Sequence, residues 1–191
     1  MDEKKLIENI RNGEQQAFRQ LYDLYQNKVY NTAFGFVHDT ADAQDITQDV
    51  FVELYQSLAT FRSDSSLNTW IYRIAVNKSL NHLRKKKSSS FFFKIRKSSE
   101  DGQKQVIPEI ADNNLTPAGN LENLELQQQL QRAIDALPEK QRTAFILDKF
   151  EDLPYKEIAL VMNTSISSVE SLLFRAKQNL QKSLLAPWKE R

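Results

Sequence analysis

The chain has 191 residues, no cysteine and a formal net charge of +1. This length allows one domain or two small ones, and the lack of cysteine excludes disulfides and thiolate metal sites. Because the net charge is near zero, affinity for nucleic acid must come from local segregation of charge. The sequence has two histidines and no glycine-rich loop, and it shows no recognisable nucleophile, set of metal ligands or phosphate-binding loop. It therefore predicts neither an enzyme nor a cofactor.

An all-α fold is predicted by the four glycines, the five prolines and the apolar residues spaced three and four apart. The polar start and the absence of a long apolar run predict a cytoplasmic protein with no signal peptide and no direct membrane contact. Helical periodicity stops after Lys87 and returns at Leu121. We therefore predict two small helical domains, residues 1–87 and 121–191, joined by a flexible linker of residues 88–120.

Charge changes sign abruptly inside the first domain. From Asp39 to Asp64 there are six acidic residues and one basic residue, whereas Ser65 to Ser99 contains nine basic residues and no acidic one. Two neighbouring segments of opposite charge are suited to binding two different partners.

The acidic segment is predicted to be a helix with one apolar side, formed by Ile46, Val50, Leu54 and Leu58 together with Phe51 and Tyr55. Its acidic residues fall in a narrow stripe on the opposite side: Asp42, Asp45, Asp49 and Glu53. Such a stripe is also typical of a solvated helix face, and the pattern alone leaves both interpretations open.

The basic segment is predicted to be a second helix. One face, which we call the basic face, carries Trp70, Arg73, Asn77, Asn81 and Arg84. Before it lies a short polar loop after Phe61, in which Ser65 or Ser66 can cap the helix. A loop beside a basic aromatic face is a place to hold an unstacked base, although an ordinary interhelical turn has the same composition.

A helix-turn-helix is predicted from Leu153 to Leu180. Ala159 is small where two helices must approach, Asn163 suits a turn residue with positive φ, and Val169 faces inwards on the second helix. An ordinary helical hairpin is the alternative. Serines near the start of the second helix and later basic residues can bind phosphates, whereas Glu170 would repel them, so we expect weak binding by this unit alone.

These motifs occur in an order that resembles the extracytoplasmic-function (ECF) sigma factors of bacterial RNA polymerase. Residues 42–51 are similar to that family's polymerase-binding helix, and residues 61–65 and 69–77 are similar to its promoter-melting segment. Residues 137–142, 155–159 and 174–177 are similar to its C-terminal domain. Three motifs in the same order are more specific than any one of them.

The resemblance implies three sets of functional residues. Those docking on the clamp of core RNA polymerase would be Asp42, Asp45, Gln48, Asp49 and Glu53. Those capturing and melting a −10-like promoter element would be Phe61, Arg62, Ser63, Asp64, Ser65, Trp70, Arg73, Asn77, Lys78, Asn81 and Arg84. Those reading a −35-like element would be Ser165, Ser167, Ser168, Glu170, Ser171, Phe174, Arg175 and Lys177.

The resemblance to ECF sigma factors also implies two further partners, the polymerase flap and an anti-sigma factor. Two other functions fit the same composition: a helix-turn-helix regulator that acts without polymerase, and a helical adaptor that never touches nucleic acid. The regulator predicts footprints on duplex DNA at a twofold-symmetric site without polymerase. The adaptor predicts that changing Arg73, Asn77 and Arg84 leaves its function intact.

Overall fold

The computed structural model describes residues 3–58, 61, 65–96 and 117–189, with side chains for 3–58, 61, 65–89 and 125–185. These residues form eight helices and no strand, which confirms the all-α prediction within that part of the chain. None of the described helices combines the length and apolar character needed to cross a bilayer.

Four helices make up the N-terminal part: α1 (Glu3–Arg11), α2 (Gln15–Val37), α3 (Thr40–Ser57) and α4 (Leu67–Arg96). The apolar row predicted on α3 is buried, with Val50 and Leu54 fully inaccessible, and it packs against Leu21 and Val29 of α2. Tyr55 was expected on the same side but is 65% exposed. The difference follows from helix geometry, because Tyr55 is turned about 100° from its buried neighbour Leu54.

Helix boundaries follow the local capping chemistry. Gly13 has a φ of 83° at the break between α1 and α2. Asp39 Oδ1 accepts a hydrogen bond from the Asp42 N–H at 2.9 Å and caps α3. Of the two predicted caps for α4, Ser66 takes the role, since its Oγ accepts from the Thr69 N–H at 3.1 Å.

Helix α1 braces the segment between α3 and α4. Arg11 donates from Nε to the Leu58 carbonyl at 3.3 Å and from Nη2 to the Phe61 carbonyl. Glu3 Oε1 accepts from the Leu67 N–H at the start of α4. Leu58, Phe61 and Leu67, which flank the predicted polar loop, are therefore held by residues of α1.

The C-terminal part contains α5 (Pro117–Asp135), α6 (Glu139–Lys149), α7 (Tyr155–Val161) and α8 (Ile166–Lys189). Helices α7 and α8 form the predicted helix-turn-helix: Ala159 and Val169 are buried, and Asn163 has a φ of 50° at the turn. Ser165 Oγ accepts from the Ser168 N–H at 3.2 Å and caps α8.

The helices extend beyond the predicted domain limits. The sequence prediction ended the fourth helix at Lys87 and began the next at Leu121, whereas α4 continues to Arg96 and α5 begins at Pro117. Residues 97–116, the middle of the predicted linker, lie outside the described residues.

The two parts share a buried apolar cluster. Phe36 from α2 and Tyr72 and Val76 from α4 pack with C-terminal core residues such as Ile158 and Val161. Gly35 allows the close approach of α2 and α6, because a Cβ at this position would lie 3.0 Å from Ile146 Cγ2 and 3.4 Å from the Phe150 ring. Glycine in mid-helix costs about 1 kcal/mol relative to alanine, and here it makes room for a neighbouring domain.

Candidate functional site

The predicted acidic stripe divides into an exposed centre and two ends bound to α4. Asp45, Gln48 and Asp49 are exposed, and the two carboxylates form no ion pair with the described residues. At one end Glu53 Oε2 lies 2.9 Å from Lys78 Nζ. The centre of the stripe is thus the part available to a partner.

Asp42 forms the other end and is largely covered. Its Oδ2 lies 2.7 Å from Lys86 Nζ and 3.2 Å from His82 Nε2. The hydrogen bond from Lys86 is the main reason that the pKa of Asp42 is below its ordinary value. Carboxylates of α3 and basic side chains of α4 therefore partly neutralise one another. Lys78, which was predicted to contact DNA, is one of these basic side chains.

Exposed apolar side chains border the centre of the stripe. Val52 is 54% exposed, and Tyr55 contacts Phe18 of α2 edge to face with ring centroids 5.1 Å apart. Tyr22 is also partly exposed and lies 4.6 Å from the Phe51 ring. Acidic groups beside exposed aromatic ones are a surface typical of a protein interface. The sequence prediction missed it because it placed Tyr55 in the core.

The loop residue Phe61 is buried, with its ring 4.6 Å from the Trp70 ring at 31°. Trp70 is half-buried against the N-terminal core, so its indole is only partly available to a base. Ser65 is half-buried next to the capping Ser66. The predicted positions Arg62, Ser63 and Asp64 lie outside the described residues.

Both arginines of the basic face bind acceptors from the C-terminal part. Arg73 donates from Nη2 and Nε to the Leu160 carbonyl, at 2.6 and 3.1 Å. Arg84 Nη2 lies 2.7 Å from Glu139 Oε1, and its Nη1 donates to Asn81 Oδ1. Asn77 and Asn81 are exposed, and Asn77 lines a cleft of about 510 Å³ between α4 and the C-terminal part.

Away from the basic face, α4 carries a buried tyrosine that binds Glu151, a half-buried residue after the end of α6. Tyr72 is 2% exposed, and its hydroxyl donates to Glu151 Oε2 at 2.7 Å. Burial raises the pKa of Glu151 to about 7, and burial beside this carboxylate raises the pKa of Tyr72. The sequence assigned Tyr72 to the non-DNA side of the helix, but nothing in its periodicity indicates a partner 79 residues away.

A second buried contact joins α2 to α5 and α6. Arg142 is 6% exposed, donates to the Phe36 carbonyl and lies 2.7 Å from Asp135 Oδ1. His38 Nε2 lies 3.4 Å from the same carboxylate oxygen. Burial lowers the pKa of Arg142, and Asp135 opposes that effect. The contact between the two parts therefore includes specific polar partners as well as apolar packing.

Helix α8 presents its outer side freely. Of the residues predicted to read DNA, seven are exposed and Ser168 is half-buried: Ser165, Ser167, Glu170, Ser171, Phe174, Arg175 and Lys177. Phe174 is 63% exposed in the middle of this surface. The structure thus places this set together on one open surface, unlike the set on α4.

Sequence comparison matches each of the two parts to a family model, and both models describe regions of Sigma-70. Residues 21–89 match the family model described as Sigma-70 region 2, and residues 127–180 match the one described as Sigma-70, region 4. The first range contains the acidic stripe and the basic face, and the second contains the helix-turn-helix.

Similar proteins cover nearly the whole chain. RNA polymerase sigma-H factor of Pseudomonas aeruginosa is 34% identical over 186 residues, which is 95% of this chain and 93% of that protein. ECF RNA polymerase sigma factor SigW of Bacillus subtilis is 30% identical, covering 95% and 96%. ECF RNA polymerase sigma-E factor of Escherichia coli is 34% identical, covering 93% and 92%.

Solved structures share the fold. CnrH, in complex with the cytosolic domain of CnrY, superposes with a TM-score of 0.67 at 22% identity over 96% of this chain and 97% of that one. RpoE of Bartonella quintana, in complex with the anti-sigma factor NepR, gives a TM-score of 0.62 at 21% identity over 88% and 97%.

The matched family models and relatives, together with the helical fold, define a transcription initiation factor with two helical parts. Within that class, the chain belongs to the extracytoplasmic-function (ECF) sigma factors of RNA polymerase.

Proposed function

We propose that the exposed centre of the acidic stripe docks this sigma factor on the clamp of core RNA polymerase. The observation that carries this proposal is the difference between Asp45 and Asp49, which form no ion pair with described residues, and Asp42 and Glu53, which are bound to α4. Val52 and Tyr55 add apolar area beside the exposed carboxylates. A charged centre with aromatic neighbours suits a specific protein interface.

On polymerase, the basic face would hold the separated strands of a −10-like element, and α8 would read a −35-like element. The DNA contacts proposed on α4 are Arg73, Asn77, Asn81 and Arg84, with Trp70 and the loop after Phe61 receiving unpaired bases. Base stacking on aromatic rings contributes about 1 to 3 kcal/mol per base. This is comparable to the few kcal/mol needed to flip a base, so the face traps melted DNA rather than melting it unaided.

The C-terminal part would meet the polymerase flap and promoter DNA through the exposed side of α8. Ser165 and the free N–H groups of the first turn suit phosphate, and Arg175 and Lys177 supply positive charge further along. We also propose an anti-sigma factor as a partner, supported by the solved structures of CnrH with CnrY and RpoE with NepR. Such a protein would work in the cytoplasm, where polymerase meets the chromosome.

Transcription with purified bacterial core polymerase on a pool of genomic fragments tests the proposal. We expect discrete run-off products that appear only when this protein is added. A helix-turn-helix regulator would instead give footprints on duplex DNA without polymerase, and an adaptor would give neither result. Absence of any specific product with core enzyme would overturn the assignment of function.

Charge reversal tests the docking surface. The double variant Asp45→Lys/Asp49→Lys should weaken capture of core polymerase about tenfold, because opposed charges at an interface then repel. The matched control is Glu8→Lys/Glu125→Lys, which changes two exposed carboxylates on α1 and α5 by the same charge. Equal capture of the two variants would contradict docking through the stripe.

A further inference from the structure

Helix α4 carries some of its proposed DNA contacts beyond the apolar core that it shares with α3. The last α4 residue in the described part of that core is Ala75, whereas the basic face continues through Asn81 to Arg84. At about 1.5 Å per residue, Arg84 lies about 14 Å past Ala75 along the helix axis. Leu80 and Leu83 pack against a second cluster, to which α3 contributes none of its described residues. Shared apolar packing with α3 therefore ends before Asn81 and Arg84.

Two carboxylates of α3 contact this second half of α4. Glu53 Oε2 lies 2.9 Å from Lys78 Nζ. Asp42 Oδ2 lies 2.7 Å from Lys86 Nζ and 3.2 Å from His82 Nε2. The three basic residues recur every fourth position, so they share one side of α4, and this side differs from the basic face. Because the earlier carboxylate contacts the later basic residues, the two helices run antiparallel with ion pairs at both ends of α3.

Asp42 is itself held in place by the end of its helix. Its N–H donates to Asp39 Oδ1 at 2.9 Å, within the cap of α3. Its side chain is 24% exposed, against 61% for Lys86. The hydrogen bond from Lys86 is the main cause that lowers the pKa of Asp42, so the carboxylate remains charged at neutral pH. A capped residue with a fixed negative charge thus meets two basic groups on successive turns of α4.

We propose that Asp42 and Glu53 are positioning residues for strand capture, which hold the second half of α4 along α3. They would place Asn81 and Arg84 relative to the polymerase on which α3 docks. The inference rests on the proposed functions of α3 and α4. It gives Asp42 and Glu53 a role other than docking, and Lys78 a role other than binding DNA. Since exposed ion pairs are weak, each pair should change strand capture by up to about fivefold rather than abolish it.

The place of α4 on α3 can be measured on the protein bound to core polymerase. Since the chain has no cysteine, spin labels on cysteines introduced at the exposed positions Gln56 and Ser88 report the distance between the ends of the two helices. Asp42→Asn/Glu53→Gln should broaden the distribution of distances between the labels, because the second half of α4 then loses its contacts with α3.

The control for this measurement is Glu8→Gln/Glu125→Gln, which removes two exposed charges on α1 and α5 and should leave the distribution as in the parent. Equal distributions in the parent and Asp42→Asn/Glu53→Gln would overturn the inference alone. A parent chain that core polymerase does not capture would overturn the proposed function, and this inference with it.

Capture of polymerase and opening of DNA distinguish positioning from docking. At saturating core polymerase, on a promoter that the parent opens, Asp42→Asn/Glu53→Gln should reduce permanganate-reactive thymines about tenfold, or about threefold for each pair. Its capture of core polymerase should match that of the parent. Asp45→Asn/Asp49→Asn should instead weaken capture. If Asp42→Asn/Glu53→Gln weakens capture as much and opens DNA fully at saturation, Asp42 and Glu53 are docking residues and the proposal is wrong.

A double-mutant cycle tests the role of Lys78. Glu53→Gln and Lys78→Met each break the same pair, so either change alone and both together should reduce DNA opening by one common factor of about three. Lys78→Arg, which keeps the charge, should retain opening, and thermal denaturation shows whether each variant is folded at the assay temperature. If the two losses multiply to about tenfold, Lys78 acts independently of Glu53, and the positioning role of this pair is refuted.

Discussion

The two surfaces proposed to bind DNA differ in what already contacts them. The basic face of α4 has both arginines engaged by Leu160 and Glu139, whereas the outer side of α8 is open, with Phe174, Arg175 and Lys177 exposed. The surface proposed to read duplex DNA is thus free in this structure, whereas the surface proposed to capture unpaired DNA contacts the C-terminal part.

The largest expected effect separates these two roles on polymerase. Arg73→Ala/Asn77→Ala should reduce open complexes roughly tenfold or more, because contacts to unpaired bases are each worth about 1 to 3 kcal/mol. Arg175→Ala/Lys177→Ala should weaken promoter binding but let open complexes form at higher protein concentration. Permanganate reactivity of unpaired thymines, measured across a concentration series, distinguishes the two.

Capture of core polymerase by both double variants is the control, and it should match that of the parent. The proposed difference between the two surfaces is contradicted if the α8 variant loses permanganate reactivity at every protein concentration. It is also contradicted if the α4 variant keeps the full permanganate reactivity of the parent.

A second prediction concerns pH. A change in pH should affect the basic face but not the outer side of α8, so it distinguishes the two surfaces. Glu151 is half-buried in this structure, in which the two parts are in contact and which we call the closed state, and desolvation raises its pKa to about 7. The groups that face it are Tyr72 on α4, Thr32 and Lys28 on α2, and Asp152 beside it, while Glu157 contributes to the raised pKa of Tyr72. When the domains separate, solvation should return its pKa towards the ordinary value of 4.5.

The sign follows from proton binding. The closed state holds the proton more tightly than the open one, so the advantage of closure is full below about pH 4.5 and is lost as pH rises through about 7. Between about pH 6 and about pH 8 the closed-to-open ratio should fall about tenfold. Energy transfer between dyes on cysteines introduced at the exposed positions Gln20 and Gln178 measures this ratio.

Glu151→Gln isolates the contribution of this one group, since it keeps an acceptor for the Tyr72 hydroxyl and cannot titrate. The His38 and Asp135 pair also spans the domain contact, so the informative quantity is the difference between the parent and this variant. If the two show the same dependence on pH, Glu151 does not control closure.

The smallest expected effect lies at the start of α8. Ser165→Ala removes the oxygen that accepts from the Ser168 N–H, and loss of a helix cap costs about 1 kcal/mol of the free energy of unfolding. Thermal denaturation should show this loss, together with only a slight reduction in duplex binding. A large loss of strand capture in this variant would mean that the two surfaces are not separate.

Local features were predictable from the sequence because local chemistry determines them. The buried row of α3, the positive φ of Asn163 and the caps at Ser66 and Ser165 each follow from residue type and helical spacing. The all-α class and the family were predictable for the same reason, since both rest on short motifs in order. The functional role of each site residue remains a prediction.

The remaining features depend on contacts between distant residues, which periodicity does not encode. Nothing in the spacing of Asp42 and Glu53 shows that α4 neutralises them while Asp45 and Asp49 stay open. The position of Tyr72 in the helical spacing is that of an ordinary core residue. Gly35 would be expected only to destabilise its helix. Only the packing of α6 and α7 shows that both residues belong to a boundary between domains.

The brace formed by α1 has a practical consequence for shortened versions of this protein. A chain begun after Gly13 would keep every residue proposed to touch DNA or polymerase. It would nevertheless leave the Leu58 and Phe61 carbonyls without Arg11 and the Leu67 N–H without Glu3. Loss of strand capture by such a fragment would therefore report the loss of these supports rather than of a proposed DNA contact, and shortened versions should retain α1.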